Sequence, residues 1–226
     1  MPSEFSTIYL IRHAHSTANA AGVLAGQDRS VHLSELGSKQ AELLTAVLTK
    51  MKFAKVLTSP MPRCRETISG YLKIANKSAA IAPGLNEMDY GNWSGRKLKS
   101  LSKLKLWNVI QSRPSLVRFP DGESFIEMSA RANQVIADHR KVGAAICLVA
   151  HGDVIKAIVA AQLGLSLDHL QQFSIDPASI TVIRISNSRS MLVKLNDTSH
   201  LSVLSNRSSS KSKPAGYVLG GGEGRI

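Results

Sequence analysis

Short apolar runs rich in isoleucine and valine recur along the chain, and each is bounded by polar or turn-forming residues. Runs of this length and composition predict β-strands. The first four lack regular alternation of polar and apolar residues, which is typical of strands covered on both faces. The predicted strands are Thr7–Ile11, Phe53–Thr58, Ala145–Ala150, Ile180–Ile185 and Met191–Leu195.

Between these strands, apolar residues repeat every three or four positions, which predicts amphipathic helices. Serine is a favoured N-cap residue and glycine a favoured C-terminal stop, so both help to place the helix ends. The alternation of strands and helices predicts a three-layer α/β domain. The predicted helices begin after Ser34, after Ser124 and at Asp153, the last stopping at Gly164, and a shorter one follows Pro60 and runs through Ile68 and Leu72.

The chain is long enough for one sizeable core, since it has 226 residues of which 43% are hydrophobic. After about Leu204 the composition changes to serine, glycine and basic residues, with few side chains to bury. Such a composition favours a flexible segment. We therefore predict one domain over residues 1–204 and a flexible tail over residues 205–226.

Cysteine usage and the N-terminal pattern favour a cytoplasmic protein. Cys64 and Cys147 lie far apart without metal-type spacing, which indicates unpaired thiols in a reducing compartment. No window of about 18 apolar residues predicts a membrane-spanning helix, and the first residues do not resemble a signal peptide.

The net charge is +12, from 28 Lys+Arg against 16 Asp+Glu. This surplus indicates an anionic partner: nucleic acid, a membrane surface or a phosphorylated substrate.

Three predicted strands end in residues suited to phosphate chemistry. The first runs into Arg12 and His13, the second is followed by Arg63, and the third runs into His151. Ligands gather at the carboxyl ends of the strands in α/β sheets, so we expect these side chains to lie together. Arginine binds phosphate well, and a neutral histidine can attack phosphorus. Glu87, in a predicted loop, is the candidate acid that protonates the leaving oxygen.

Five motifs together resemble the histidine phosphatase superfamily, also called the phosphoglycerate mutase-like family, over roughly residues 7–185. The resemblance implies a three-layer α/β/α fold whose central sheet is mainly parallel, with helices on both faces. It also implies that the domain over residues 1–204 is catalytic. The motifs, in chain order, are RHAHSTAN at 12–19, SPMPRCRET at 59–67, LNEMDYGNWSG at 85–95, PDGES at 120–124 and VAHGD at 149–153.

The resemblance also assigns roles to individual residues. It implies that His13 is the nucleophile that forms a phosphohistidine, with Glu87 as the general acid. The remaining residues implied for the catalytic and phosphate-binding set are Arg12, Arg63, His151, Ser16 and Asn19. Gly152, the residue after His151, is a further predicted substrate-binding residue. The amides at the start of the helix that follows His151 would favour an anion.

Two neighbours compete for these roles, and two positions depart from the family pattern. Arg65 competes with Arg63 for the phosphate, and Asp89 competes with Glu87 as the acid. The family usually has glycine where this chain has Ala14, so we expect a slightly tighter site. Many relatives carry an acidic residue where this chain has His15, for which the sequence suggests no definite role.

We predict a phosphatase that hydrolyses a phosphomonoester of a small metabolite without metal or organic cofactor. Mutases of the family carry a long insertion before the Gly-Glu-Ser motif, whereas only Arg96–Phe119 fills that space here. A cofactor-dependent phosphoglycerate mutase is the first alternative. The second is a basic nucleic-acid-binding protein with a non-catalytic core, although basic and aromatic residues are not interleaved as in base-binding surfaces. The predicted partners are the phosphorylated substrate and inorganic phosphate, with no metal or membrane, and a homodimer is allowed.

The segment 96–118 is strongly basic and contains no acidic residue. Its seven cations would favour a substrate with more than one negative group if the segment covers the site. The alternative is a solvated helix face with leucines and a tryptophan packed beneath it. The seven are Arg96, Lys97, Lys99, Lys103, Lys105, Arg113 and Arg118.

Overall fold

The computed structural model describes residues 4–205 and contains one sheet. Its strands are β1 (Ser6–Arg12), β2 (Lys55–Thr58), β3 (Ala80–Ile81), β4 (Ala145–Ala150), β5 (Ile180–Ile185) and β6 (Ser190–Asp197). The strand order is β3-β2-β4-β1-β5-β6. The first four strands in this order are mutually parallel, and β5 is antiparallel to both of its neighbours. The mainly parallel sheet is therefore confirmed.

Helices cover both faces of the sheet. They are α1 (Thr17–Ala21), α2 (Glu35–Leu48), α3 (Pro62–Ala75), α4 (Leu98–Leu101), α5 (Lys105–Ser112), α6 (Phe125–His139), α7 (Gly152–Gln162) and α8 (Ser202–Ser205). One core cluster joins α2 and α3 to one face, and the other joins α5, α6 and α7 to the opposite face. Within β1, Ile8 and Leu10 belong to the second cluster and Ile11 to the first. Because successive side chains of a strand point to opposite faces, β1 contributes to both cores.

The helix caps formed by two serines are confirmed. Ser34 Oγ accepts a hydrogen bond from the Gly37 amide, at 3.1 Å. Ser124 Oγ accepts one from the Glu127 amide at 3.2 Å, while the Glu127 carboxylate accepts one from the Ser124 amide at 2.8 Å. This reciprocal pair satisfies donors that a helix N-terminus otherwise leaves free.

Several predicted boundaries are corrected. The strand predicted from Phe53 begins at Lys55, and the short strand Ala80–Ile81 was not predicted because it has only two residues, both exposed. The helix predicted from Asp153 begins one residue earlier, at Gly152. Gly164 follows the end of this helix with φ of +69°, as expected of a C-terminal stop.

The helix after Pro60 is not shorter than its neighbours, since α3 and α2 each have 14 residues. Gly70 lies inside α3, where a glycine weakens helix propensity. A Cβ atom at Gly70 would lie 2.7 Å from Thr45 Oγ1 of α2. The glycine therefore permits the close approach of α2 and α3, and their packing sustains the longer helix.

The tail predicted over residues 205–226 lies, after Ser205, outside the described residues, and its flexibility stays a prediction. None of the helices between residues 4 and 205 is long and apolar enough to cross a membrane.

Candidate active site

The parallel strands bring the predicted residues to one edge of the sheet. Arg12, the last residue of β1, is paired with Ala150, the last residue of β4. The His13 amide donates to the Ala150 carbonyl at 3.0 Å, and the Ser59 amide beyond β2 donates to the Val149 carbonyl at 2.9 Å. The chain ends of β1, β2 and β4 thus lie side by side.

His13 is held in an orientation that leaves one ring nitrogen unprotonated. Its Nδ1 lies 2.8 Å from the carbonyl oxygen of Ala14, to which an Nδ1–H donates. Burial holds the pKa of His13 well below its ordinary value, and the charges of Arg63 and Arg12 lower it further. The neutral ring therefore presents Nε2 as a nucleophile.

Two fully buried guanidinium groups flank this histidine. Arg12 Nη1 donates to the Ile175 carbonyl at 2.6 Å. Arg63 lies in the first turn of α3, where its Nη2 donates to the Gly26 carbonyl at 2.8 Å. Arg63 Nε has no hydrogen-bond partner among residues 4–205. A buried donor of this kind is costly unless an anion binds, because it lacks the partners that water would provide.

His151 occupies the N-cap position of α7, and its ring faces both Arg63 and Glu87. Its Nδ1 lies 3.3 Å from Arg63 Nη2 and 3.6 Å from Glu87 Oε2. The His151 and His13 rings meet edge to face with their centroids 5.2 Å apart. Burial, with Arg63 as the next contribution, holds the pKa of His151 well below its ordinary value, so this ring is neutral as well.

Glu87 is a buried carboxyl group, 4% exposed, whose loop is anchored through its main chain. The Glu87 carbonyl accepts hydrogen bonds from Gln27 Nε2 at 2.9 Å and from Arg131 Nη2 at 3.0 Å. The pKa of Glu87 is raised to about 7, mainly by burial and also by Asp153, while Arg63 opposes the rise. A carboxyl with this pKa is still partly protonated near neutral pH, so it can act as a general acid.

Ser16 and Asn19 form the N-terminal cap of α1, close to His13 in the sequence. Ser16 Oγ donates to Asn19 Oδ1 at 2.8 Å, and the Asn19 amide donates back to Ser16 Oγ at 3.2 Å. Gly152 is the first residue of α7, where main-chain amides have no partner inside the helix. The role of Ser16, Asn19 and Gly152 in phosphate binding stays a prediction.

Burial separates the competing residues. Arg63 and Glu87 are buried in the cluster, whereas Arg65 and Asp89 are exposed. The Asp89 carboxylate accepts a hydrogen bond from the Gly91 amide at 3.0 Å, which supports the turn that follows. The structure therefore places Arg63 and Glu87, and not their neighbours, beside the histidines.

The two departures from the family pattern are accommodated locally. Ala14 does not adopt a positive φ, and its methyl group is fully buried in the core beneath α2 and α3. The His15 amide donates to Gln40 Oε1 at 2.8 Å, and His15 Nδ1 lies 2.8 Å from Ser34 Oγ. His15 thus connects the loop after β1 to the N-terminal part of α2.

A match to a family model extends over residues 8–198 and is described as histidine phosphatase superfamily (branch 1). The chain belongs to this superfamily. Its similar relatives include phosphoserine phosphatase 1 of Hydrogenobacter thermophilus, 29% identical over 86% of this chain and 93% of that protein. A probable phosphoglycerate mutase GpmB of Photorhabdus laumondii is 32% identical over 70% of this chain and 75% of that protein.

Solved structures agree with this family assignment. A putative alpha-ribazole-5'-P phosphatase from Escherichia coli superposes with a TM-score of 0.75 and is 26% identical. The match covers 85% of this chain and 96% of that one. The histidine phosphatase fold predicted from the motifs is therefore confirmed, and the similar proteins include both phosphatases and mutases.

Sequence reasoning missed two contacts of this histidine phosphatase site. Ser59 Oγ lies 2.8 Å from His151 Nε2, and the Tyr90 hydroxyl donates to Asp153 Oδ2 at 2.9 Å, with all four side chains buried. Ser59 begins the SPMPRCRET motif and Asp153 ends the VAHGD motif. Their positions in the motifs were therefore the signal that could have drawn attention to them.

The described part of the chain contains no group of three His, Cys, Asp or Glu residues that could hold a metal ion.

Cys64 and Cys147 are both free and buried, and burial raises the pKa of each thiol to about 12. Both cysteines are therefore thiols at neutral pH. Cys64 Sγ also contacts His151 Nε2, at 3.5 Å.

Proposed function

We propose that the protein is a metal-independent phosphatase that hydrolyses a phosphomonoester of a small metabolite through a phosphohistidine on His13. One observation carries the proposal: the free Nε2 of a neutral His13 lies in a buried site with two guanidinium groups and a protonatable carboxyl. Positive groups that are already in position stabilise the charge of a phosphoryl group in transfer. Membership of the superfamily and the phosphatases among its relatives support the same reaction.

In the first step, His13 Nε2 attacks phosphorus and the bond from phosphorus to the substrate oxygen breaks. Arg12, Arg63 and His151 bind the phosphoryl oxygens. Glu87 gives its proton to the leaving oxygen, so that an alcohol departs and not an alkoxide. The raised pKa of Glu87 makes the proton available near neutral pH.

In the second step, water attacks the phosphorus of the phosphohistidine. The Glu87 carboxylate left by the first step takes a proton from that water, and the bond from phosphorus to His13 Nε2 breaks. Inorganic phosphate leaves, and both residues return to their starting states. The same carboxyl thus acts as acid and then as base, which requires no metal-bound water.

A phosphoglycerate mutase is the second candidate, because a relative with that printed name is 32% identical. A mutase must shield its phosphohistidine from water. The segment Arg96–Phe119 carries α4 and α5, and packs on the core through buried Trp107 and Ile110. Its shortness, compared with the insertion of family mutases, is our reason for preferring hydrolysis.

The deciding experiment measures phosphate release from a panel of sugar phosphates, phosphoglycerates, nucleotides and phosphoamino acids, with and without EDTA. We expect release to survive EDTA and to vanish in His13→Ala. His139→Ala is the matched control, because His139 lies beside Lys55, the first residue of β2, at the other end of that strand. Release that is unchanged in His13→Ala refutes the proposal.

A mutase assay with 2,3-bisphosphoglycerate as phosphoryl donor compares the two candidates. Transfer to 3-phosphoglycerate that exceeds phosphate release would favour the mutase.

A further inference from the structure

The two ring nitrogens of His151 have different neighbours. Nδ1 faces charged groups of the site, Arg63 Nη2 at 3.3 Å and Glu87 Oε2 at 3.6 Å. Nε2 faces Ser59 Oγ at 2.8 Å. Burial lowers the pKa of His151, so the ring is neutral. A neutral imidazole carries one N–H, so one of these nitrogens is a donor and the other is an acceptor.

The hydrogen bonds around Ser59 indicate which nitrogen carries the proton. Ser59 Oγ already accepts a hydrogen bond from the Met61 amide at 3.3 Å, and the side chain is fully buried. Within residues 4–205, the strong acceptor that its own O–H reaches is His151 Nε2, and Cys64 Sγ is a weak acceptor nearby. If Nε2 held the proton, the buried Ser59 O–H would be left with only the weak acceptor Cys64 Sγ, which is costly.

The second neighbour of Nε2 agrees with this assignment. Cys64 Sγ lies 3.5 Å from Nε2, and its S–H donates to the Ala150 carbonyl at 3.5 Å. The Ser59 hydroxyl, the Cys64 thiol and His151 Nε2 all have a hydrogen-bond partner when Ser59 donates to an unprotonated Nε2. The proton of the neutral ring is then on Nδ1.

We propose that Ser59 is a positioning residue that holds His151 as the Nδ1–H tautomer, so that Nδ1 donates to an oxygen of the transferred phosphoryl group. Arg63 Nη2 is also a donor, and it cannot accept a hydrogen bond. With Nδ1 protonated, these two donors, 3.3 Å apart, do not bond to each other and can share one acceptor oxygen. This inference rests on the proposed phosphatase function and names a residue that supports it indirectly.

The first test is the tautomer itself, measured by ¹⁵N NMR of the imidazole nitrogens of His151. We expect Nδ1 protonated and Nε2 unprotonated in the wild type. In Ser59→Ala, Nε2 loses its donor, and an unprotonated Nδ1 can accept a hydrogen bond from Arg63 Nη2. The proton is therefore expected to move to Nε2, a change that a purely structural role would not cause.

The second test is kinetic. Loss of a partner that orients a metal-ligating histidine typically costs about 10- to 100-fold, and we expect kcat/KM for p-nitrophenyl phosphate to fall by a comparable factor in Ser59→Ala. The concentration of orthovanadate needed for half inhibition should rise in parallel. Ser59→Thr keeps the hydroxyl and should restore both the tautomer and most of the activity. Thr58→Val is the matched control, because the Thr58 hydroxyl donates to the Ser59 carbonyl at 3.1 Å and not to His151.

Three results would overturn the proposal: an Nε2–H tautomer in the wild type, an unchanged tautomer in Ser59→Ala, or wild-type kcat/KM in Ser59→Ala despite a changed tautomer. Failure of the phosphatase function is a separate outcome, recognised by phosphate release that does not depend on His13. The tautomer and orthovanadate binding are measured without turnover, so they test Ser59 in either case.

Discussion

Replacing Glu87 by glutamine should make the stability of the protein less dependent on pH. The pKa of Glu87 rises from an ordinary value of 4.5 to about 7 because the side chain is buried. When the pKa of a carboxyl is higher in the folded state than in the unfolded state, the protein loses stability as the pH rises from the unfolded-state pKa through the folded-state pKa. The rise from 4.5 to about 7 corresponds to about 3 kcal/mol of the free energy of unfolding, since one pKa unit is worth about 1.4 kcal/mol.

Glutamine keeps the shape of the side chain and carries no titratable proton. The difference in free energy of unfolding, Glu87→Gln minus wild type, should therefore increase by about 3 kcal/mol between pH 4.5 and pH 8. Urea denaturation at the two pH values measures it. Asp89→Asn is the matched control, because it makes the same carboxyl-to-amide change at an exposed residue of the same loop.

The same substitution should slow catalysis according to the leaving group. A general acid contributes about 10²- to 10⁴-fold when the leaving oxygen needs a proton, as in an alkyl phosphate. A nitrophenolate leaves without one, so single-turnover phosphorylation by p-nitrophenyl phosphate should be much less affected. A stability difference that does not vary with pH, or equal losses on both substrates, would refute the role given to Glu87.

Three further substitutions test separate parts of the structure. Arg63→Met should lower kcat/KM by about 10²- to 10³-fold through loss of a phosphate donor. Arg65 is exposed on the same helix, so Arg65→Met should match the wild type, and equal losses in the two variants would contradict the assignment of Arg63 to phosphate binding. Tyr90→Phe removes the hydroxyl that donates to buried Asp153 and should lower the free energy of unfolding by about 1–3 kcal/mol. Unchanged urea denaturation would argue against a stabilising hydrogen bond between Tyr90 and Asp153. Ala14→Gly removes a buried methyl group and should lower the same quantity by about 1 kcal/mol, whereas a gain would mean that the methyl group is strained.

Secondary structure was predictable wherever it depends on residues close in the chain. Apolar periodicity predicted the five longer strands and the main helices, and the serine caps act within three residues of their own position. The length of α3 was not predictable in this way. Gly70 weakens the helix locally, and only the contact with Thr45 of α2 shows why it continues.

For the candidate site, too, some features could be predicted from nearby residues and others only from packing. Arg12, His13, Arg63 and His151 follow strands in the sequence, so their meeting could be predicted from parallel strand ends. The choice of Arg63 over Arg65, and of Glu87 over Asp89, had support from the motifs. Burial then separated each pair, and burial depends on packing against distant segments.

The sequence by itself determined the α/β class, the family and the candidate set of catalytic residues, because these are recorded in local pattern and motif spacing. Only the tertiary structure decided how those residues are charged and hydrogen-bonded. The pKa of Glu87 and the contact between Ser59 and His151 depend on groups that are far apart in the chain. Desolvation and hydrogen bonding act over a few ångströms, so they are determined once folding has brought such groups together.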